Sequence, residues 1–340
     1  MEMLAKTTNI DFLGKRKITG IISAVLIAAG IFSLFTQGLN LSIDFTGGSV
    51  IEVSYEKPAD LESIRQKMSE NGFEKAVVQN FGSANDVLIR VPVDVNTAPS
   101  SETAEGSDSD DAQNSPVTAN AKVSETVFKI LQSSVQSDDK VTLKRVEFVG
   151  PQFGQELVEK GVLALIYALG FVLVYVAFRF EWKFGIGSVA ALVHDVLITI
   201  GVFAIIQMEF SLAVLAAVLA VIGYSLNDTI VVFDRIRENF RKMRETDTVE
   251  IMNVSVNQTL PRTILTSVTT LLVLFALFVF GGDSLKGFSV ALIIGVLIGT
   301  YSSIFVASPV VLALGVSKKD LMIEKVEKEG ADQVDLDLIP

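Results

Sequence analysis

The chain has 340 residues, half of them hydrophobic, and carries a net charge of −11 from 28 basic and 39 acidic side chains. Its mean hydropathy is +0.49, above that of most soluble domains of this size. The acidic balance excludes a nucleic-acid binder, the lack of cysteine excludes disulfides and thiolate metal sites, and a single histidine, His194, leaves no zinc-type cluster.

No G-x-x-x-x-G-K-[ST] run is present, so neither a nucleotide site nor an enzymatic reaction is expected, and no cofactor or metal is implied. The Gly-rich GGDSLKG at 281–287 lacks that spacing and reads as a turn.

Residues 1–37 form an N-terminal segment and a first apolar span, Ile18–Gln37, behind Lys15, Arg16 and Lys17. The apolar run is too long for a signal-peptide core and no small-x-small cleavage site follows it, so it is expected to be an uncleaved span. Residues 38–156 then read as a domain of their own. GSVIEVSYE (48–56) alternates like a strand, and Pro58-Ala-Asp opens a helix over 61–72 that Asn71-Gly72 closes. Strands follow at 75–82 and 86–93, a helix at 124–135 and a last strand at 140–150. The order β-α-β-β-α-β predicts a ferredoxin-like α+β fold. Residues 96–121 are polar and acidic without apolar periodicity, which predicts a disordered, solvated loop.

Five more apolar runs fill residues 157–314, near Leu157–Phe178, Phe184–Ile206, Leu212–Phe233, Thr263–Phe280 and Phe288–Leu314. A span needs about 20 apolar residues, so the fold class is a polytopic α-helical membrane protein with six transmembrane helices. Lys and Arg cluster before span 1, in the 2–3 loop (Arg179, Lys183), in the 4–5 loop (Arg235, Arg237, Arg241, Lys242, Arg244) and after span 6 (Lys318, Lys319). The opposite short loops, 207–211 and 281–287, hold only Lys286. By the positive-inside rule both termini, including the 315–340 tail, are expected in the cytoplasm and the 38–156 domain outside. The basic stretch 234–245 is expected at the cytoplasmic surface, drawn to anionic lipid.

GYSLNDTIVVFDRIREN (223–239) closely resembles the fourth-span signature of the SecF family, the smaller partners of SecD in bacterial protein export. IDFTGGS (43–49), LVHDV (192–196) and QTLPRTILTS (258–267) agree in order and in span. The resemblance implies one half of a transporter of the RND superfamily, in the bacterial inner membrane with 38–156 periplasmic. It implies pairing with a SecD-like subunit and use of the proton gradient to draw an unfolded polypeptide outward through a SecYEG-type translocase. A half-size RND exporter of small molecules or lipids, and a scaffold whose polar residues only join helices, are the other readings.

A charged side chain inside hydrocarbon is costly and usually faces protein or water. Asp228 lies six residues before Asp234, about 9 Å into the membrane, and reads as a proton carrier or as a carboxylate bonded to a neighbouring helix. Asn227 has no proton equilibrium and is expected to orient it. Arg262 reads as a snorkelling arginine, and the resemblance implies a gate for Asp228. His194 and Asp195 lie about 16 Å into span 3, as a relay or a helix coupling. Gly295 and Gly299 form a small-xxx-small packing face. Asp44, Phe45, Thr46, Gly47 and Gly48 follow span 1, the glycines for a tight turn into the first strand.

Overall fold

The computed structural model describes residues 8–74, 76–81, 83–92, 116–133, 141–243 and 245–317. Among them six helices are long and apolar enough to cross a membrane. A 3-10 turn, Leu13–Lys15, leads into α1 (Arg16–Thr36). The remaining spans are α5 (Pro151–Arg179), α6 (Trp182–Ile206), α7 (Leu212–Lys242), α8 (Thr248–Phe280) and the last span. That last span is α9 (Asp283–Ser302), a π-helical turn (Ser303–Ala307) and α10 (Ser308–Ala313).

Burial separates these helices into two groups. In the most apolar stretch of each span, 56% of α6, 50% of α7 and 44% of the last span is buried, against 22%, 11% and 17% for α1, α5 and α8. The first group is the inner layer, packed mutually; the second lies around it. Glycines set the closest approaches. A Cβ on Gly201 of α6 would come within 2.7 Å of Gly30 Cα, so α1 and α6 cross backbone to backbone.

Two spans are longer than their apolar runs suggested. α7 continues through the basic stretch to Lys242, and Ile236, Asn239 and Phe240 on it are buried. Asn239 Nδ2 donates to Ser255 Oγ at 2.9 Å and to Gln258 Oε1 at 2.8 Å. Through Lys242 the stretch is therefore the packed end of an inner helix. α8 begins at Thr248, capped by Asp247, fifteen residues before the predicted start. Pro261 sits inside it, because neighbouring helices hold the rod together across the missing N–H.

The domain between α1 and α5 holds a short helix α2 (Ile43–Thr46), β1 (Gly48–Tyr55), α3 (Leu61–Glu70), β2 (Val77–Phe81), β3 (Ser83–Pro92), α4 (Pro116–Ser133) and β4 (Val141–Val149). The sheet order is β2-β3-β1-β4, every neighbouring pair antiparallel, consistent with a ferredoxin-like fold. Ile51, Val53, Val87 and Ile89 alternate onto the face covered by α3 and α4, where Ile64, Met68, Val127 and Leu131 complete the core. The other face looks toward the membrane helices across a cavity of about 730 Å³.

α4 starts at Pro116, which enters the first helical turn at no hydrogen-bond cost. The expectation of disorder through residue 121 is corrected to that extent; 93–115 lies outside the described residues. A deletion joining Val95 to Pro116 is expected to leave expression and export within about twofold of the parent, because the sheet and α4 bury the apolar surface that holds the domain together. Accumulation of protein without export would show that 96–115 has a function.

Candidate functional site

The polar centre of the inner layer is built around one carboxylate. α6 carries His194 and Asp195 near its middle, 4% and 0% exposed. Asp195 Oδ1 lies 2.8 Å from His194 Nδ1. Asp195 Oδ2 accepts from Ser225 Oγ of α7 at 2.5 Å and from Ser302 Oγ of α9 at 2.7 Å. Asp195 thus takes donors from its own helix and two others. A buried carboxylate is tolerated where its lone pairs are filled in this way.

Small residues make the convergence possible. A Cβ added to Gly299 would sit 3.0 Å from Ser225 Cβ, and one on Gly295 only 2.0 Å from Val221 Cγ2. The Gly295/Gly299 face is therefore the surface on which α9 approaches α7, close enough for Ser225 and Ser302 to share one oxygen. Just past Ser302 the π turn loosens the helix, and Ser308 Oγ donates to Ser303 O at 3.1 Å. Such single π turns recur at functional sites.

His194 faces the other way. Its Nε2 is 3.0 Å from Ser23 Oγ of α1, and Ser23 Oγ is 3.1 Å from Tyr301 Oη. Tyr301 Oη donates to Thr19 O at 2.8 Å, and its ring stacks on the imidazole at 6.0 Å and 21°. Adjacent helical side chains point about 100° apart, which is why Asp195 serves α7 and α9 while His194 serves α1.

Asp228 is on the same face of α7 as Ser225, three residues on and about 4.5 Å along the axis. It is 3% exposed, and its Oδ2 has no hydrogen-bond partner among the described residues. The charge that reaches it electrostatically is that of Arg262, on the exposed side of α8; no ion pair joins the two. Asn227 is exposed and makes no contribution to the cluster. Of the predicted relay, the structure brings His194 and Asp195 together, sets Asp228 one turn away, and leaves Asn227 and Arg262 on the outside.

The Asp44–Gly48 segment lies at the other end of the bundle, about 24 Å along α7 from Asp228. Asp44 Oδ2 accepts from Leu212 N at 3.1 Å, capping α7, and from Ser42 Oγ at 3.0 Å. Gly47 and Gly48 have φ of 71° and 140°, and a Cβ on Gly48 would meet Val91 O at 2.5 Å. Only glycine fits where the chain turns from α2 into β1 beside β3. Nearby, Arg90 of β3 pairs with Glu209 of the α6–α7 loop and ties the sheet to the helices. Burial raises the Glu209 carboxyl above its usual range, with Arg90 opposing it.

Sequence reasoning missed Ser23, Ser225, Tyr301 and Ser302. The signal available was polarity alone: each is a hydroxyl inside an otherwise apolar run. Among the described residues no group of three or more His, Asp or Glu side chains stands together as a metal site.

Comparison with known proteins follows the same outline. The model for the C-terminal part of the protein-export membrane proteins SecD and SecF matches residues 129–317, and the model of the SecD/SecF GG motif matches 32–59. The chain is 46% identical to the protein translocase subunit SecF of Pseudomonas aeruginosa, over 98% of this chain and 99% of the relative. It is 46% identical to the SecF subunits of Vibrio alginolyticus, over 97% and 98%, and of Escherichia coli O157:H7, over 92% and 90%. Among solved structures it resembles SecDF, a translocon-associated membrane protein from Thermus thermophilus, with a TM-score of 0.74 and 36% identity. That match covers 90% of this chain and spans 39% of the SecDF chain. A SecDF structure in a super-membrane-facing form gives a TM-score of 0.63.

Proposed function

Because this chain belongs to the SecF family of protein translocase subunits and is a multi-pass membrane protein, we propose that it couples proton movement to the late steps of polypeptide export, with Asp228 as the group that loads and releases the proton. One observation carries this reading. Asp228 is buried inside a span with no hydrogen-bond partner for its Oδ2 among the described residues, whereas a carboxylate kept only to join helices would be bonded as Asp195 is.

In this reading Arg262 governs the charge of Asp228. Its long side chain stands on the outer side of α8, unpaired with Asp228. Approach of the guanidinium favours the carboxylate and expels the proton; retreat lets a proton bind. Ser225, bonded to Asp195 and one turn from Asp228, links that exchange to α6 and α9. Asn227, exposed on α7 beside Asp228, stands toward a SecD-like subunit that completes the pseudo-symmetric transporter. SecYEG-type channel subunits, the unfolded exported chain and membrane lipid are the further partners. The half-size exporter reading is not favoured, because curated SecF relatives match over nearly the whole chain.

The membrane is the bacterial inner membrane, the termini are cytoplasmic and the 38–156 domain is periplasmic. The chain lacks cysteine, so single cysteines report this directly. In intact cells a membrane-impermeant thiol reagent is expected to label Lys129→Cys on α4 and to spare Glu238→Cys on α7. The reverse pattern would overturn the orientation. The function itself is tested in vesicles holding a stalled precursor after ATP depletion. An imposed proton gradient should drive export only where this chain and its SecD-like partner are both present. Gradient-driven export without this chain would refute the proposal.

A further inference from the structure

Resting on the proton-coupled reading, we infer that His194, and not Asp195, is the second proton-accepting group, and that Ser23 and Tyr301 form the hydroxyl wire that serves it. The argument is a count of hydrogens. Asp195 receives three donors: His194 Nδ1 at Oδ1, and Ser225 and Ser302 at Oδ2. An ionised carboxylate accepts all three; a proton on Oδ1 would require the Nε2–H ring tautomer, with Nδ1 as acceptor, and would weaken the two short serine bonds to Oδ2 that favour the ionised form.

The histidine side does not close in the same way. With a neutral ring, the one N–H is at Nδ1 and donates to Asp195. Nε2 must then accept, and its partner is the Ser23 hydroxyl. The Tyr301 hydroxyl hydrogen goes to Thr19 O. Ser23 Oγ and Tyr301 Oη are left 3.1 Å apart with no hydrogen between them. Add one proton and every contact is filled. Nε2–H donates to Ser23, Ser23 donates to Tyr301, and Tyr301 donates to Thr19 O. The imidazolium so formed lies against the Asp195 carboxylate. Beside an ionised Asp195, the geometry is complete for the charged ring and one hydrogen short for the neutral one.

The pair borders a crevice of about 440 Å³ between α1, α6 and α10, where Arg16, Ser23 and His194 stand among apolar side chains. A proton arriving there binds Ser23 Oγ as Ser23 passes its own hydrogen to Nε2. The old Ser23 O–H bond breaks as its hydrogen goes to Nε2, a new one forms with the incoming proton and turns to Tyr301, and the net change is one N–H bond and one positive charge. The charged or titratable groups around the ring are Asp195 on α6, Arg16 on α1 and Tyr301 on α9; α10 lines the crevice with Pro309, Val310 and Ala313. α7 contributes Ser225 through Asp195.

The chain's single histidine makes this testable without ambiguity. The full chain, purified on a tag without histidine, is labelled with ¹⁵N-histidine and placed in lipid bilayers. Solid-state NMR should show the Nδ1–H tautomer at alkaline pH and a doubly protonated ring at mildly acidic pH. At a fixed acidic pH, Ser23→Ala should lower the ratio of doubly to singly protonated ring roughly tenfold, the effect of losing one hydrogen bond to a charged group. Tyr301→Phe, which keeps the stacked ring, should lower it in the same sense, and Ser23→Thr should match the parent. An Nε2–H tautomer, a ring neutral throughout, or an unchanged ratio in Ser23→Ala would overturn the inference. Failure of the export reading would appear separately, as vesicles indifferent to the gradient while the ring still titrates.

Discussion

Asp228→Asn is expected to insert, fold and pair as the parent does and to lose about nine-tenths or more of its gradient-stimulated export. The substitution keeps the shape of the side chain and its capacity to hydrogen-bond. It removes the one property that a proton carrier needs, an exchangeable proton at an accessible equilibrium. Oδ2 of Asp228 has no partner to lose among the described residues, so Asn should cost the fold nothing and relieve a buried charge. The measurement is precursor export into vesicles after ATP depletion, with and without an imposed gradient. A gradient response equal to the parent's would end the carrier role. Arg262→Ala should impair the same response through loss of the switch. Arg262 is exposed and joined to Asp228 by no ion pair, so stability should stay within about 0.5 kcal/mol.

Asp195→Ala should do the opposite to the fold. It deprives His194, Ser225 and Ser302 of their common acceptor at the point where α6, α7 and α9 meet. Hydrogen bonds between membrane helices average about 0.6 kcal/mol and reach about 1.7, so losing the two from Ser225 and Ser302 implies a destabilisation of about 1–3 kcal/mol. Thermal unfolding in mild detergent should show it as a clearly lowered midpoint. Asp195→Asn should recover most of that loss. Its carbonyl can take the two serine hydroxyls and its amide can face Nδ1, provided the histidine changes tautomer. The recovered protein should still fail in gradient-driven export, because its ring is held neutral. The two buried carboxylates are thus expected to differ in what they do for the fold, Asp195 supporting both stability and transport and Asp228 transport alone. Equal destabilisation by Asp228→Asn and Asp195→Ala would refute that division.

The amino-acid order by itself determined that the chain has six membrane spans, that a separate domain lies between the first two, and which strands and helices compose it. These follow from local rules: hydrocarbon thickness sets span length, and side-chain alternation sets strands. It determined less well where helices end. Thr248–Arg262 is too polar to read as membrane span, yet it is helical because the buried Ile251, Met252 and Val256 join the cluster around Phe233 and Phe240. Pro116 likewise starts α4 inside a segment whose composition alone suggested disorder.

The site was legible as a set of ionisable residues and illegible as an arrangement. Asp228, His194 and Asp195 announce themselves because charge is rare in apolar runs. Ser23, Ser225, Tyr301 and Ser302 do not, since a hydroxyl inside a span usually bonds its own backbone, as Thr199 and Thr229 do here. Which hydroxyls reach across to another helix depends on how closely the helices approach. That distance is set by Gly295 and Gly299 against α7, and by Gly30 against Gly201. Whether a polar group is bonded or orphaned is therefore a property of helix crossings between residues as far apart in the chain as Ser23, Asp195 and Ser302. Only the tertiary structure could decide it, and that decision distinguishes the bonded Asp195 from Asp228, whose Oδ2 has no partner among the described residues.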